Sequence, residues 1–283
     1  MIVTEEADEL RRFLDGARSS GKVVGFHLTT GALHGGHRSN IRKMAAECDV
    51  SAVSIFASPL QFGPCKGPRG YPRDLDGDLA QAEEAGADVV LAPKATWDVG
   101  CSTAVRVKGF EAVLEGRSLP GYFEGVATVV TKLLSAVGPC YAYFGEKDYQ
   151  QLVLVRRLVE DLSLAAAVVA CPVVRETDGL ALSSRNCLLS PDERAGARAL
   201  YWSLLAGKRA IEEKGITAPK LVRSAMLEVA SREPLFDLDY AVVADPEQLE
   251  EPEVIDGEVR LLIAGRLGRT RLIDNVGASR GED

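Results

Sequence analysis

The chain has 283 residues, 46% hydrophobic and 26% charged, enough apolar side chain to bury a sizeable core, which excludes a disordered or fibrous protein. Its 33 basic against 41 acidic side chains give a formal charge of -8, so it lacks the basic footprint that nucleic-acid binding demands, and any anionic ligand must be held by a local site. The six cysteines, Cys48, Cys65, Cys101, Cys140, Cys171 and Cys187, form no C-x-x-C pair, which fits reduced thiols in a cytoplasmic protein better than disulfides or zinc.

The N-terminal MIVTEEADELRRFL lacks the basic-then-apolar order of a signal peptide. The most apolar run, 165–174, is about half the length of a membrane-spanning helix and is interrupted by Pro172. Over its first two thirds the chain alternates β-branched runs (KVVGFHL, SAVSIF, DVVLA, CYAYFG, AAAVVACPVV) with helical patterns (SNIRKMAAE, LDGDLAQAEEAG, DYQQLVLVRRLVEDL). That order predicts an α/β domain with a parallel, Rossmann-like sheet over 1–175, whose ligands bind beyond the carboxyl ends of the strands. The Pro/Gly-rich stretch FGPCKGPRGYPRD predicts a loop at that edge. After Arg175, two long helical patterns, PDERAGARALYWSLLAGKRAIEEKG and APKLVRSAMLEVASRE, precede the strands DLDYAVVAD, EVRLLIAG and TRLID, which predicts a smaller α+β domain over 176–283.

Three segments carry candidate chemistry. His34 and His37 follow the first long strand through TTGALHGGH and share one face at the start of a helix, where outward amides and the dipole favour anions. Gly31, Gly35 and Gly36 beside them permit close backbone approach to a ligand. Zinc would need a third ligand and an HExxH spacing, both absent. In FGEKDYQQL, Lys147 offers a mobile cation and Asp148 a hydroxyl acceptor, although EKD alone would be an ordinary charged helix start. In DGLALSSRN, Ser183, Ser184 and Arg185 can wrap phosphate oxygens, the plain alternative being a capping turn. Gln61 and Gln150 suit the hydroxyl or carboxylate of a small polar substrate. Asp74, Asp76 and Asp78 are read as a solvated helix start rather than a metal site, and His27 as a wall or core histidine without a catalytic role. No GxSxG, Walker A or GxGxxG pattern occurs, which argues against a triad hydrolase, a P-loop kinase and a dinucleotide dehydrogenase.

In order, TTGALHGGH, SIFASPLQF, YPRDLDGD, LPGYFEGVATVVTKL, FGEKDYQQL, VVRETDGLALSSRN and RLIDN resemble the motifs of pantothenate synthetases, a family of HIGH-type nucleotidyltransferases, over nearly the whole chain. The resemblance implies a Rossmann-like domain binding ATP and acid, a C-terminal lid domain, a homodimer, and no nucleic-acid or membrane partner. It implies the coupling of pantoate to β-alanine through a pantoyl adenylate, using ATP and Mg2+ and releasing pyrophosphate and AMP. His34, His37, Lys147, Ser183, Ser184 and Arg185 resemble the phosphate machinery. Gly31, Gly36, Gly145, Asp148, Val174 and Leu182 would hold the rest of the nucleotide. Thr30, Ser58, Gln61, Gln150, Tyr122, Val129 and Val130 would line the acid and amine sites.

Several positions depart from the family pattern. The usual PTMGALHEGH reads LTTGALHGGH, with Leu28 for proline, Thr30 for methionine and Gly35 for glutamate. SIFVNPTQF reads SIFASPLQF, so Ser58 stands for asparagine and Leu60 for threonine; RPGHF reads LPGYF, with Leu119 for arginine and Tyr122 for histidine. Leu182 for methionine is mild. The changes cluster on the acid and amine side, as expected of a paralogue with altered substrates. An adenylyltransferase of the same superfamily and an ATP-binding protein without turnover stay open as other readings.

Overall fold

The computed structural model of the chain describes residues 1–62, 74–94, 97 and 101–281. Cys65 and most of the FGPCKGPRGYPRD loop lie outside the described residues. The chain divides into two compact units, Met1–Gly145 with Gln150–Pro172, and Glu146–Tyr149 with Val173–Asp283.

Unit 1 begins with β1 (Ile2–Thr4), α1 (Ala7–Ser19), β2 (Val24–Thr29), α2 (Gly35–Glu47), β3 (Val50–Ile55), α3 (Leu75–Glu84) and β4 (Val89–Leu91). It continues with α4 (Leu114–Ser118), α5 (Tyr122–Val137), β5 (Cys140–Gly145), α6 (Tyr149–Asp161), whose first residue belongs to unit 2, and β6 (Ala166–Cys171). The six strands form one parallel sheet in the order β1-β4-β3-β2-β5-β6, the Rossmann-like architecture that the alternating pattern predicts. Strand β1 is absent from the sequence-based expectation: three residues show no periodicity, and Ile2–Thr4 becomes a strand by pairing with β4 at the sheet edge. The chain runs outward from β2 through β3 to β4, then returns to build β5 and β6 on the other side. The strand order therefore reverses between β2 and β5, and the carboxyl ends of these two strands flank the crevice where such sheets bind ligands.

Helix α5 is the most buried helix of unit 1 and has no counterpart among the predicted elements, although Phe123, Val126, Val130, Leu133, Leu134 and Val137 recur at helical spacing along one buried stripe. Gly125 brings it against the 3-10 turn Pro59–Phe62: a Cβ there would lie 2.0 Å from the Leu60 carbonyl oxygen. This contact seats the turn that carries Gln61.

Unit 2 contains α7 (Pro191–Gly196), α8 (Arg198–Glu212), α9 (Pro219–Ala230), β7 (Phe236–Ala244), β8 (Glu258–Leu267) and β9 (Thr270–Ser279). The strands form an antiparallel sheet in the order β7-β8-β9. Leu200, Leu204, Ile211, Met226, Leu261 and Ile263 join helices and sheet in one core. The single helix predicted after Pro191 is two. A reciprocal cap between Ser190 and Glu193 starts α7, and Gly196, pressed against Glu233 and Leu267, ends it one residue before α8.

Candidate active site

The loop after β2 is held by an unusual backbone. Gly31 and Ala32 are consecutive left-handed residues, with φ of 87° and 51°, and for Ala32 this conformation costs strain. The carboxylate of Asp78 on α3, 3% exposed, offsets it by accepting the amide N–H groups of Ala32 at 2.9 Å and Leu33 at 2.7 Å. Asp78 is thus a buried loop anchor, and the expected solvated helix start holds only for Asp74, which caps α3 by accepting from Gly77 at 3.0 Å, and for exposed Asp76. Among the described residues no group of three or more His, Cys, Asp or Glu could hold a metal ion.

His34 and His37 cap α2 reciprocally. His34 Nδ1 accepts from the Gly36 N–H at 3.1 Å, His37 Nδ1 accepts from the His34 N–H at 3.3 Å, and their ring centroids are 4.1 Å apart. With Nδ1 of each ring accepting, both imidazoles are neutral and carry their proton on Nε2, as donors at the positive end of the helix. Gly36 is required for this geometry, since a Cβ there would come within 2.9 Å of the His34 ring. Behind them His27 is buried on β2, its ring centroid 6.0 Å from that of His37. Its Nδ1–H donates to the Tyr143 carbonyl at 2.8 Å, its Nε2 has no partner among the described residues, and burial pushes its pKa down to about 4.

The expected acid and amine residues are disposed around α5 and the start of α6. Ser58 is fully buried, and its Oγ accepts from the Leu60 N–H at 3.2 Å, shaping the turn that carries Gln61. Gln61 Oε1 is buried with no partner among the described residues. Gln150 is different: its Oε1 accepts from the Glu115 N–H at 2.9 Å, while Nε2 donates to the carbonyls of Val113 at 3.1 Å and Phe110 at 3.4 Å. Those bonds commit its amide to the 110–115 segment. The next residue, Gln151, is half-buried and accepts from the Tyr122 hydroxyl at 3.2 Å. Val129 and Val130 are buried in α5, and Thr30 is half-buried after β2.

Gly145, a nucleotide candidate, ends β5 in unit 1, and the remaining candidates belong to unit 2. The 3-10 turn Glu146–Asp148 continues directly from β5, with Lys147 Nζ 3.7 Å from the exposed carboxylate of Asp148. A hairpin carries the nucleotide candidates: Leu182 N–H donates to the Val174 carbonyl at 2.9 Å, Arg175 pairs with Ala181, and Gly179 closes the turn. Val174 and Leu182 are therefore cross-strand partners. Ser183 Oγ accepts from the Arg185 N–H at 3.2 Å, and the exposed Arg185 follows the half-buried Ser184. Two arginines fix the hairpin. Arg175 forms a bidentate pair with buried Asp274, at 2.6 and 3.0 Å, and stacks on Tyr201; burial raises the Asp274 carboxyl above its ordinary value, opposed by the Arg175 guanidinium. Arg194 grips Asp178 and Glu176, which lowers the Asp178 carboxyl below its ordinary value.

The two units thus carry neutral Nε2–H donors at a helix start, and a lysine, an arginine and two hydroxyls on clamped turns. Both sets have the chemistry to hold phosphate oxygens and balance developing negative charge. Residues 2–277 match the family model described as pantoate-beta-alanine ligase. A pantothenate synthetase of Herpetosiphon aurantiacus is 45% identical over 98% of this chain and 99% of its own. The crystal structure of pantothenate synthetase from Thermus thermophilus superposes with a TM-score of 0.90 at 42% identity, covering 98% of this chain and 99% of that one. The pantoate-beta-alanine ligase of Francisella tularensis, crystallised with beta-gamma ATP and beta-alanine, superposes at 0.77 with 30% identity over 98% and 97% of the two chains.

Proposed function

Because the chain belongs to the pantoate–β-alanine ligase family, we propose that it joins pantoate to β-alanine with cleavage of ATP, and that the residues described above perform both half-reactions. The reciprocal His34–His37 cap is the observation that carries the reading, since it sets two Nε2–H donors at the start of α2, where a phosphate is best stabilised. In the first half-reaction the pantoate carboxylate attacks the α-phosphorus of ATP, forming the acyl phosphate bond as the bond to pyrophosphate breaks. Two anions approach while a third departs, so the barrier falls with every donor and cation aimed at the phosphates. His34, His37, Ser183, Ser184 and Arg185 supply these, and Lys147 balances the charge on the leaving pyrophosphate. Gly31, Gly36, Gly145, Asp148, Val174 and Leu182 would seat the rest of the nucleotide. In the second half-reaction the β-alanine amine attacks the acyl carbon, loses a proton and expels AMP, a step that needs exclusion of water more than a strong base.

For the acid, Gln61 keeps the role its sequence position implies, supported by its unpartnered buried oxygen. The second amide grip passes from Gln150 to Gln151, since the groups of Gln150 hold the 110–115 backbone. Thr30, Ser58, Tyr122, Val129 and Val130 would shape the acid and amine site. Mg2+ fits as an ion carried on the ATP phosphates, neutralising their charge; the described residues hold no carboxylate cage for it. The protein would work as a homodimer in the cytoplasm, as the resemblance to its family implies.

The test is AMP release from ATP with pantoate and β-alanine, each alone and together, with mass spectrometry of the product. AMP that requires both and pantothenate as product establish the reaction; AMP transfer onto a phosphorylated acceptor instead would establish an adenylyltransferase. Lys147→Ala should abolish pyrophosphate release while leaving the fold intact, and near-normal release would sink its assignment. Ser58 and Tyr122 favour one second reading, the same chemistry on a related acid or amine: one hydroxyl is turned into its own chain and the other onto Gln151. Silence with pantoate and β-alanine but turnover with another pair would select it.

A further inference from the structure

In the sequence the RLIDN segment is a predicted strand and a resemblance, and in the site described above it appears only through Asp274, the anchor of the hairpin. In unit 2 it lies at the centre of the polar network. Asn275 on β9 is 2% exposed, and both polar atoms of its amide are hydrogen-bonded. Nδ2 donates to the carbonyls of Glu146 and Lys147, both at 2.9 Å, and Oδ1 accepts from Arg260 Nε at 2.7 Å. These partners fix the amide's orientation, because carbonyls only accept and a guanidinium only donates. Arg260 completes the clamp by pairing with the Glu146 carboxylate at 2.8 Å and stacking 4.1 Å from the Tyr149 ring, while the Tyr149 hydroxyl donates to the Pro246 carbonyl at 3.1 Å. The preceding residue, Asp274, holds the hairpin of Val174 and Leu182 through Arg175, and the Asn275 carbonyl accepts from the same guanidinium at 3.0 Å.

We propose that Asn275 is the positioning residue for Lys147: its amide holds the main chain of the Glu146–Asp148 turn so that Nζ meets the departing pyrophosphate. The inference rests on the assignment of Lys147 made above. It also accounts for an amide rather than a carboxylate at 275. An aspartate would keep the shape and the Arg260 partner but would offer no donor, and would set negative charge against two carbonyl oxygens. Lys147 would then keep its charge and lose its fixed origin, a fault that falls on the rate of adenylation and leaves acid binding alone.

The experiment measures ATP–pyrophosphate exchange with pantoate for wild type, Asn275→Asp, Asn275→Ala, Lys147→Ala and the double variant Lys147→Ala/Asn275→Asp, with circular dichroism to confirm folding. Asn275→Asp should lower kcat by about ten- to a hundredfold with the KM for pantoate within about twofold, the scale of a displaced catalytic group. The double variant should be no slower than Lys147→Ala, because Asn275 acts through that side chain. Asn275→Ala, which removes the donors without adding charge, should fall in the same kinetic class. A folded Asn275→Asp with unimpaired exchange, or a double variant slowed by the product of the two effects, overturns the proposal. Loss of the fold in both Asn275 variants overturns it as well, since the amide would then hold the unit rather than the turn. Normal exchange by Lys147→Ala would instead refute the Lys147 assignment itself, whereas a slow Lys147→Ala beside an unimpaired Asn275→Asp refutes only this inference.

Discussion

Replacing His27 with valine isolates the cost of a buried imidazole on the strand that feeds the phosphate loop. The ring is 3% exposed, its Nδ1–H is committed to the Tyr143 carbonyl, and burial moves its pKa from 6.5 to about 4. The sign follows from which state takes up the proton. Above pH 6.5 the ring is neutral folded and unfolded, and its contribution to stability does not vary with pH. As pH falls from 6.5 toward 4, the unfolded chain protonates while the folded chain refuses, so stability falls with pH. At 1.36 kcal/mol per pH unit, the loss between pH 7.5 and 4.5 is about 2.5 kcal/mol, assigned to this one side chain. Urea unfolding of wild type and His27→Val at several pH values measures it. Carboxylates contribute equally to both proteins and cancel in the difference, so the wild type should lose about 2.5 kcal/mol more than the variant over that range. Parallel curves, within about 0.5 kcal/mol, would refute the burial argument and imply that the folded ring takes up its proton as readily as a free one.

Asp78→Ala should strand two buried loop amides, costing about 2–4 kcal/mol in urea unfolding, and should weaken ATP binding by titration; Asp78→Asn, which keeps one acceptor, should fall between. Equal effects of the two variants would contradict the anchoring role. Gln150→Ala should destabilise by about 2–3 kcal/mol through the 110–115 segment, whereas Gln151→Ala should leave stability within about 0.5 kcal/mol and raise the KM for the acid. The opposite pattern in unfolding and steady-state kinetics would restore Gln150 as the acid grip.

The nucleotide side is legible in the sequence because phosphate recognition is local. Glycines, two histidines and a helix start within about ten residues suggest a phosphate site against the plainer reading of two histidines satisfied at a turn, and the sheet announces itself by the strand pattern. The acid side is assembled differently. Gln150 and Gln151 are neighbours of identical type, and only the fold tells which faces the 110–115 backbone, because one step along α6 turns their directions about 100° apart. Helix α5, which carries Tyr122, Val129 and Val130, shows its apolar stripe at helical spacing and is legible in principle, whereas β1 is too short to show a period. Asp78 is hidden for a related reason: its company of Asp74 and Asp76 suggests a solvated acidic turn, and nothing local reveals that its partners are amides 45 and 46 residues away.

The residues that the sequence does not reveal share one physical role. Asp78, Asp274 and Asn275 are 3%, 2% and 2% exposed, and each meets a functional segment through backbone groups or through an arginine that grips backbone. Phosphate loops need this. The amides of the β2–α2 loop are taken up by Asp78 and by the His34–His37 cap, and glycines that permit close approach raise the entropy of the open chain. The ordering must therefore come from polar groups elsewhere in the sequence, buried where their hydrogen bonds are strong and a missing partner is costly. Such anchors tolerate exchange poorly even between isosteres, because a carboxylate suits amides and guanidinium while only an amide suits carbonyls. The adjacent Asp274 and Asn275 have opposite requirements, and exchanging them would leave composition and charge unchanged while removing the matched partners of Arg175 and of the Glu146 and Lys147 carbonyls.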